Sequence, residues 1–144
     1  MATIHLEIIT PERIVYVDDI DAVVVPGMEG ELGILPHHIP LFTQIKPGEV
    51  KITKGEQEFF LAVTGGFLDV AAGSKVTILA DYAVRSEEVE VSRAEEAKKR
   101  AEELMKVKKS EQEFAVAEAE LRRAILELKV VRRRKTSKVP IPQP

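Results

Sequence analysis

An antiparallel β-sandwich or barrel followed by an α-helical hairpin is the architecture that this sequence predicts. Three observations carry it. Over residues 1–85, short stretches of alternating apolar and polar residues are separated by a turn signal roughly every eight to twelve residues. Between residues 86 and 135 there is neither Gly nor Pro, and the apolar period lengthens from two to between three and four. The charge changes with the pattern: residues 1–85 carry 6 Lys and Arg against 12 Asp and Glu, residues 86–128 carry 9 against 12, and residues 129–144 carry 6 against none. Net charges of −6, −3 and +6 in successive parts of a chain of net −3 point to separate parts with separate partners.

The strands come first. Ile4, Leu6 and Ile8 alternate with His5 and Glu7; Val50 and Ile52 alternate with Lys51 and Thr53. Val76 and Ile78 alternate with Thr77 and Leu79, and this run reads as a strand buried on both faces. Thr10-Pro11-Glu12, Pro26-Gly27, Lys46-Pro47-Gly48, Lys54-Gly55, Gly65-Gly66 and Ala72-Gly73 supply the turns. The helices follow, over 86–137. Ala94, Ala97, Ala101 and Leu104 form one stripe, and Phe114, Ala117, Leu121, Ala124, Leu128 and Val131 form a second. The polar break at Lys108-Lys109-Ser110 is short enough to fold the two antiparallel. Ser92 is the expected N-cap of the first helix, with Glu95 completing a capping box. The Pro-rich stretch 138–144 cannot continue a helix and is expected to be disordered. The alanine-rich seam buries little apolar area, so the hairpin is expected to dock on the sheet domain or exchange that docking for another partner. A simple packing hairpin is the plainer reading.

Chemistry is scarce. The chain has no Cys, which removes disulfides and thiol ligands, and no long apolar run that would insert into a membrane. No charged-then-apolar leader opens it. His37 and His38, with Glu29 and Glu31 nearby, invite a metal reading; Pro36 and Pro40 argue for an extended segment, on which adjacent side chains diverge. No Ser or Thr sits in a Gly-flanked elbow, and no Gly-rich phosphate loop precedes a helix. Arg93, Arg100 and Arg123 converge across a hairpin to grip polyphosphate, or else are flank charges with Glu partners, such as Arg100 with Glu96 and Glu103. Lys129, Arg132, Arg133, Arg134, Lys135 and Lys138 form a basic end. With an acidic remainder and no interleaved aromatics, an acidic protein surface fits that end better than nucleic acid.

Residues 30–41 read GELGILPHHIPL, and IKPGEV, VTGGFLDV and VTILAD follow in order. With VEVSRAEEAKKRAEE and AEAELRRAILELKVV behind them, the chain resembles the epsilon subunit of F-type ATP synthases of the bacterial type over about residues 1–133. The resemblance implies a flattened sandwich of about ten strands, then a helix hairpin. It implies a non-catalytic rotor subunit in the central stalk, beside the gamma subunit and on the c-subunit ring, peripheral to the cytoplasmic face of the cell membrane and without insertion into it. Glu29, Glu31 and His38 are then docking residues toward the c ring and gamma. The hairpin is a regulatory arm that either folds on the sandwich or extends along gamma to the beta and alpha subunits. Arg122, Arg123, Lys129, Arg132, Arg133, Arg134 and Lys135 form the basic end that blocks ATP hydrolysis there.

Some members of that family bind ATP on the folded hairpin. Here Glu90, Arg93, Ala94, Arg100 and Arg123 occupy the corresponding positions. Glu90 replaces an Asp, Val84 stands in place of an acid, and Glu127 in place of a second Arg. An anion gained and a cation lost beside phosphates weaken such a site, so the resemblance implies weak regulatory ATP binding and no required cofactor. A stand-alone ATP-sensing module and a basic-tailed nucleic-acid adaptor are the competing readings.

Overall fold

The computed structural model describes residues 2–107 and 110–137, with side chains described as far as Val131. Ten strands come first: β1 (Ile4–Ile9), β2 (Ile14–Ile20), β3 (Ala22–Gly27), β4 (Gly30–Ile34), β5 (Leu41–Ile45), β6 (Gly48–Lys54), β7 (Gln57–Val63), β8 (Gly66–Ala71), β9 (Lys75–Ala80) and β10 (Ala83–Arg85). A 3-10 turn (Ser86–Glu88) leads into α1 (Val91–Lys106) and α2 (Glu111–Ser137).

The strands form one sheet in the order β10-β7-β6-β3-β5-β8-β9-β1-β2, with β4 paired to β3 off this path. The sheet folds over on itself, and Ile4, Leu6, Ile8, Val23, Ile52, Leu61, Leu68 and Ile78, all buried, fill the space between its halves. Alternation explains the pattern: on β1, Ile4, Leu6 and Ile8 point inward while His5, Glu7 and Ile9 lie on the outer face. One pairing departs from the expected antiparallel arrangement, since β1 and β9 run parallel, Leu6 opposite Val76. Most of the sandwich separates them in sequence, so no hairpin forces them to oppose. Where the two ends of the sheet meet, Arg85 on β10 donates from Nε (3.0 Å) and Nη2 (2.8 Å) to the carbonyl oxygen of Val15 on β2. That guanidinium also lies over the Tyr16 ring at 5.3 Å.

The strand buried on both faces is β7, and β9 is not. On β9, Leu79 is 44% exposed. On β7, Leu61 and Val63 enter the sandwich core, while Phe60 and Ala62 belong to a second cluster with Val84, Val89, Ala94, Val130 and Val131. The reason is tertiary: α2 lies against β7. Burying a valine such as Val130 contributes about 1.5–3 kcal/mol.

The two helices pack closely through alanine. Ala94, Ala101, Ala117 and Ala124 are all buried. Leu104, expected in this seam, is instead half exposed and lines an open groove with Val107 and Val116. Helix α1 starts one residue before the expected Ser92 cap: Glu90 is the N-cap, it makes no side-chain capping bond, and the Ala94 amide donates to the Glu90 carbonyl at 3.0 Å. Val89 and Val91 pack into the second cluster and so fix the entry of the chain. Capping belongs to α2, where the Glu113 amide donates to Ser110 Oγ at 3.1 Å. The expected break at Lys108-Lys109 and the 138–144 tail lie outside the described residues, as do the side chains of Arg132, Arg133, Arg134 and Lys135.

Two outcomes test these contacts. Gly66 has φ +147°, and a β-carbon added there would stand 1.9 Å from the Leu79 carbonyl oxygen of the paired strand. Gly66→Ala is expected to cost more than about 3 kcal/mol in urea unfolding, because the clash is with backbone. His5 bridges β1 and β2, with Nδ1 2.9 Å from Asp19 and Nε2 3.3 Å from Glu7. Hydrogen bonds to Asp19 first, then to Glu7, raise its pKa above 6.5. The imidazolium therefore adds stability that is complete below that value and lost as pH rises through the raised one. Wild type is expected to exceed His5→Asn in melting temperature at about pH 6 and to match it by about pH 9.

Candidate functional site

Two surfaces carry the candidate residues. The first is the hairpin of β3 and β4 with the segment that leaves it. Glu29 stands in the tight turn between the two strands, and Glu31 lies on β4 opposite Pro26. The expected loop is thus half strand. The expected extended conformation of the two histidines does not form either. His37 has φ +67°, its amide donates to Ser74 Oγ at 2.9 Å, and the His38 amide donates back to the Leu35 carbonyl at 3.2 Å. A left-handed residue lets the chain reverse between Pro36 and Pro40, and Ser74 holds the reversal against the β8–β9 turn. His38 Nδ1 is 2.7 Å from the Ile39 carbonyl. Glu29 and Glu31 are exposed and His38 is half-buried; among the described residues no hydrogen bond or ion pair links the three. No three His, Asp or Glu residues gather there in a metal-binding group, again among the described residues.

Beside this hairpin lies an apolar outer face that alternation in the sequence did not single out. Phe42 on β5 is 65% exposed and stacks on Phe67 of β8, with ring centroids 5.6 Å apart and planes 15° from parallel. Leu79 pairs opposite Phe67, Ile9 opposite Leu79, and Ile14 opposite Ile9, so the apolar row crosses five strands. The available signal was apolar residues at both parities, Phe67 beside Leu68 and Ile78 beside Leu79. On Val76 to Leu79 that signal reads as a strand buried on both faces.

The second surface is a cleft of about 580 Å³ where α1, α2 and the approach to β10 meet. The structure brings Glu90, Arg93, Ala94, Arg100 and Arg123 together on its walls, with Tyr82, Val84 and Glu127. Arg93 Nε lies 3.3 Å from Glu90, and Arg123 Nε lies 3.7 Å from Glu127. The expected pairs of Arg100 with Glu96 or Glu103 do not form, although Glu96 and Arg100 both line the cleft. Tyr82 was missed by sequence reasoning: its ring lies under Arg123 at 3.6 Å, and its hydroxyl donates to Glu127 Oε2 at 3.4 Å. Burial first, and then the Glu127 charge, push the Tyr82 phenol above its ordinary pKa against the pull of Arg123. It stays protonated and available as a donor. Of the other basic residues, Arg122 pairs with Glu118 at 2.6 Å and Lys129 is exposed.

A family model described as the ATP synthase delta/epsilon chain β-sandwich domain matches residues 3–86, and the delta/epsilon long α-helix domain matches residues 87–132. The chain belongs to the ATP synthase delta/epsilon family. An ATP synthase epsilon chain of Dehalococcoides mccartyi is 48% identical over 136 residues, covering 94% of this chain and 96% of its own. One of Desulforamulus reducens is 45% identical over 127 residues, covering 88% and 96%. In fold, this epsilon-type chain resembles a chain in the structure of the Euglena gracilis mitochondrial ATP synthase, OSCP/F1/c-ring, with a TM-score of 0.74, 22% identity and coverage of 91% and 82%. A chain in the Tetrahymena thermophila mitochondrial ATP synthase central stalk/c-ring structure matches with a TM-score of 0.56, 18% identity and coverage of 88% and 94%.

The cleft is lined by three guanidinium groups (Arg93, Arg100, Arg123) and five carboxylates (Glu88, Glu90, Glu96, Glu120, Glu127). A net charge of −2 opposes a polyanion. Titration of the full chain with magnesium-ATP in a calorimeter is expected to give a dissociation constant no tighter than millimolar, weakened further by Arg93→Ala. Micromolar binding would contradict this charge balance.

Proposed function

We propose that the chain is the non-catalytic central-stalk subunit of a bacterial F-type ATP synthase. In this reading it docks on gamma and the c ring through the sandwich and restrains ATP hydrolysis through its helices. The apolar outer face carries the proposal. Phe42, Phe67, Leu79 and Ile14 are exposed in one row; Leu35, just before the Pro36–Pro40 reversal, and Ile39, within it and 76% exposed, are further exposed apolar residues. A contiguous exposed apolar surface on a folded domain is the mark of a partner interface. Glu29, Glu31 and His38 stand on the adjoining hairpin, where they would give the polar rim that sets register. The epsilon chains that resemble it, and the Tetrahymena central stalk/c-ring structure that shares its fold, favour gamma and the c ring as those partners.

The hairpin supplies the regulatory part. At 1.5 Å per residue α1 spans about 24 Å and α2 about 40 Å, long enough to reach from the stalk toward the alpha and beta subunits. Its hold on the sandwich is one local patch, the second cluster with the Tyr82 contacts beside it, which an arm would leave as a single unit. The basic end, from Arg122 and Arg123 through Lys129 to Arg132, Arg133, Arg134 and Lys135, would then face acidic segments of beta. The complex would sit on the cytoplasmic face of the membrane, and no described helix is long and apolar enough to cross it. The stand-alone ATP-sensing reading is disfavoured by the excess of carboxylates in the cleft.

Reconstitution into a synthase depleted of this subunit tests both parts. Phe42→Glu combined with Glu31→Ala and His38→Ala is expected to lose co-purification with gamma and the c ring while the isolated chain stays folded. Conversion of Arg132, Arg133, Arg134 and Lys135 to Ala, which spares the docked Val130 and Val131, is expected to raise hydrolysis several-fold and leave synthesis unchanged, with the difference shrinking as salt rises, because the attraction is screened over about 8 Å at physiological ionic strength. Retained binding would end the docking assignment. Unchanged latency would end the inhibitory one.

A further inference from the structure

Tyr82 stands in the bend before β10, on the sandwich, whereas Arg123 and Glu127 stand one turn apart on α2. The guanidinium of Arg123 lies 3.6 Å from the centre of the Tyr82 ring. Its Nε atom is 3.7 Å from one Glu127 oxygen, and the Tyr82 hydroxyl donates to the other at 3.4 Å. A guanidinium offers a flat face to aromatic rings and a hydrogen-bonding edge to anions. Here the chain itself engages both, the face by Tyr82 and the edge by Glu127. Two of the three contacts cross from sandwich to arm. The Glu127 side chain is 18% exposed, so the carboxylate lies well inside the cleft wall.

We propose that Tyr82, Arg123 and Glu127 form a fastener that holds the helix hairpin on the sandwich without any nucleotide, with the Glu127 carboxylate occupying Arg123 in place of a polyphosphate ligand. The apolar cluster of Phe60, Val84, Val89, Val130 and Val131 supplies adhesion but little direction. The fastener adds direction. It fixes α2 at one rotation about its axis, since Arg123 and Glu127 meet Tyr82 only from one face of the helix. It also answers the charge of Arg123. With its own anion in place, docking needs no phosphate to neutralise Arg123, and an incoming polyphosphate must displace a tethered carboxylate that is always present at high local concentration.

The proposal rests on the reading of the hairpin as a movable arm, and one experiment separates the two. The chain has no Cys, so Glu56→Cys and Ala119→Cys, both at exposed positions, accept a fluorophore pair that reports docking in the full-length chain. Tyr82→Leu and Glu127→Gln are each expected to lower the ratio of docked to undocked arm by about fivefold to tenfold. Tyr82→Phe, which keeps the ring and loses the donor, is expected to lie between them and wild type. All three should keep the melting transition of the sandwich. Inorganic tripolyphosphate is expected to bind Glu127→Gln at least about threefold more tightly than wild type, because removing one negative charge favours the anion. Val130→Asp, which places a charge in the buried docking cluster, is the reference for a released arm. If Val130→Asp releases the arm while Tyr82→Leu and Glu127→Gln leave it docked as in wild type, the fastener is overturned and the movable arm stands. If Val130→Asp leaves it docked as well, the movable arm falls and the fastener with it. An unchanged tripolyphosphate affinity in Glu127→Gln would overturn the place assigned to that carboxylate.

Discussion

The contact between α2 and the outer face of β7 and β10 is the interaction on which the arrangement of this chain depends. A two-helix hairpin joined mainly through Ala94, Ala101, Ala117 and Ala124 cannot hold itself together by apolar burial, because a methyl group removes little surface from water. Helix α2 compensates by presenting a second stripe, Val130 and Val131 with Leu126 and Leu128 beside them, to Phe60, Ala62 and Val84. One helix thus serves two interfaces, and the strand beneath it becomes the doubly buried strand of the sheet. The same contact is the one that the proposed movement of the arm would have to break.

The connection between sandwich and arm begins with ionic and hydrogen-bonded contacts and continues into an apolar cluster. The 3-10 turn is tied down by Arg85, which reaches the Val15 carbonyl, and by Glu88, which receives Arg13 Nη1 at 3.1 Å. Burial alone would raise the Glu88 carboxyl; the bonds from Arg13 and the Arg85 amide, with both positive charges, outweigh it and hold it below the usual carboxylate range. Ser86 is buried between them. Beyond Val89, among the described residues, the second cluster that packs the arm on the sandwich is apolar, and the Tyr82 contacts lie beside it.

The two outer faces of the sandwich then have opposite fates. The face of β7 and β10 is covered by the chain's own helix. Among the described residues nothing covers the face of β5, β8, β9, β1 and β2, and it carries Phe42, Phe67, Leu79 and Ile14 in the open. An apolar face left uncovered while another is sealed from within points to a partner supplied from outside. The His37 reversal, tied to Ser74, fixes the adjoining hairpin exit with a short loop that loses little entropy on docking.

Much of this was legible in the sequence because local patterns have local causes. Alternation at Ile4, Leu6 and Ile8 placed β1 and its inner face, the loss of Gly and Pro after residue 85 marked the helices, and the motif of residues 30–41 pointed to the family. What failed depended on which surface covers which. Phe59 to Val63 is apolar at every position and Val76 to Leu79 at all but Thr77, yet periodicity by itself cannot say which one lies under a helix. Ser92 looks like a better cap than Glu90, yet Val89 and Val91 bind the second cluster and move the helix start. Seven-residue spacing set Arg93 and Arg100 on one side of α1, but only the docked arm brings Tyr82 beneath Arg123 and turns Glu127 toward both. Sequence by itself determined the elements, their order and the family; tertiary structure decided which faces are sealed and which charges meet, because those depend on contacts between residues distant along the chain.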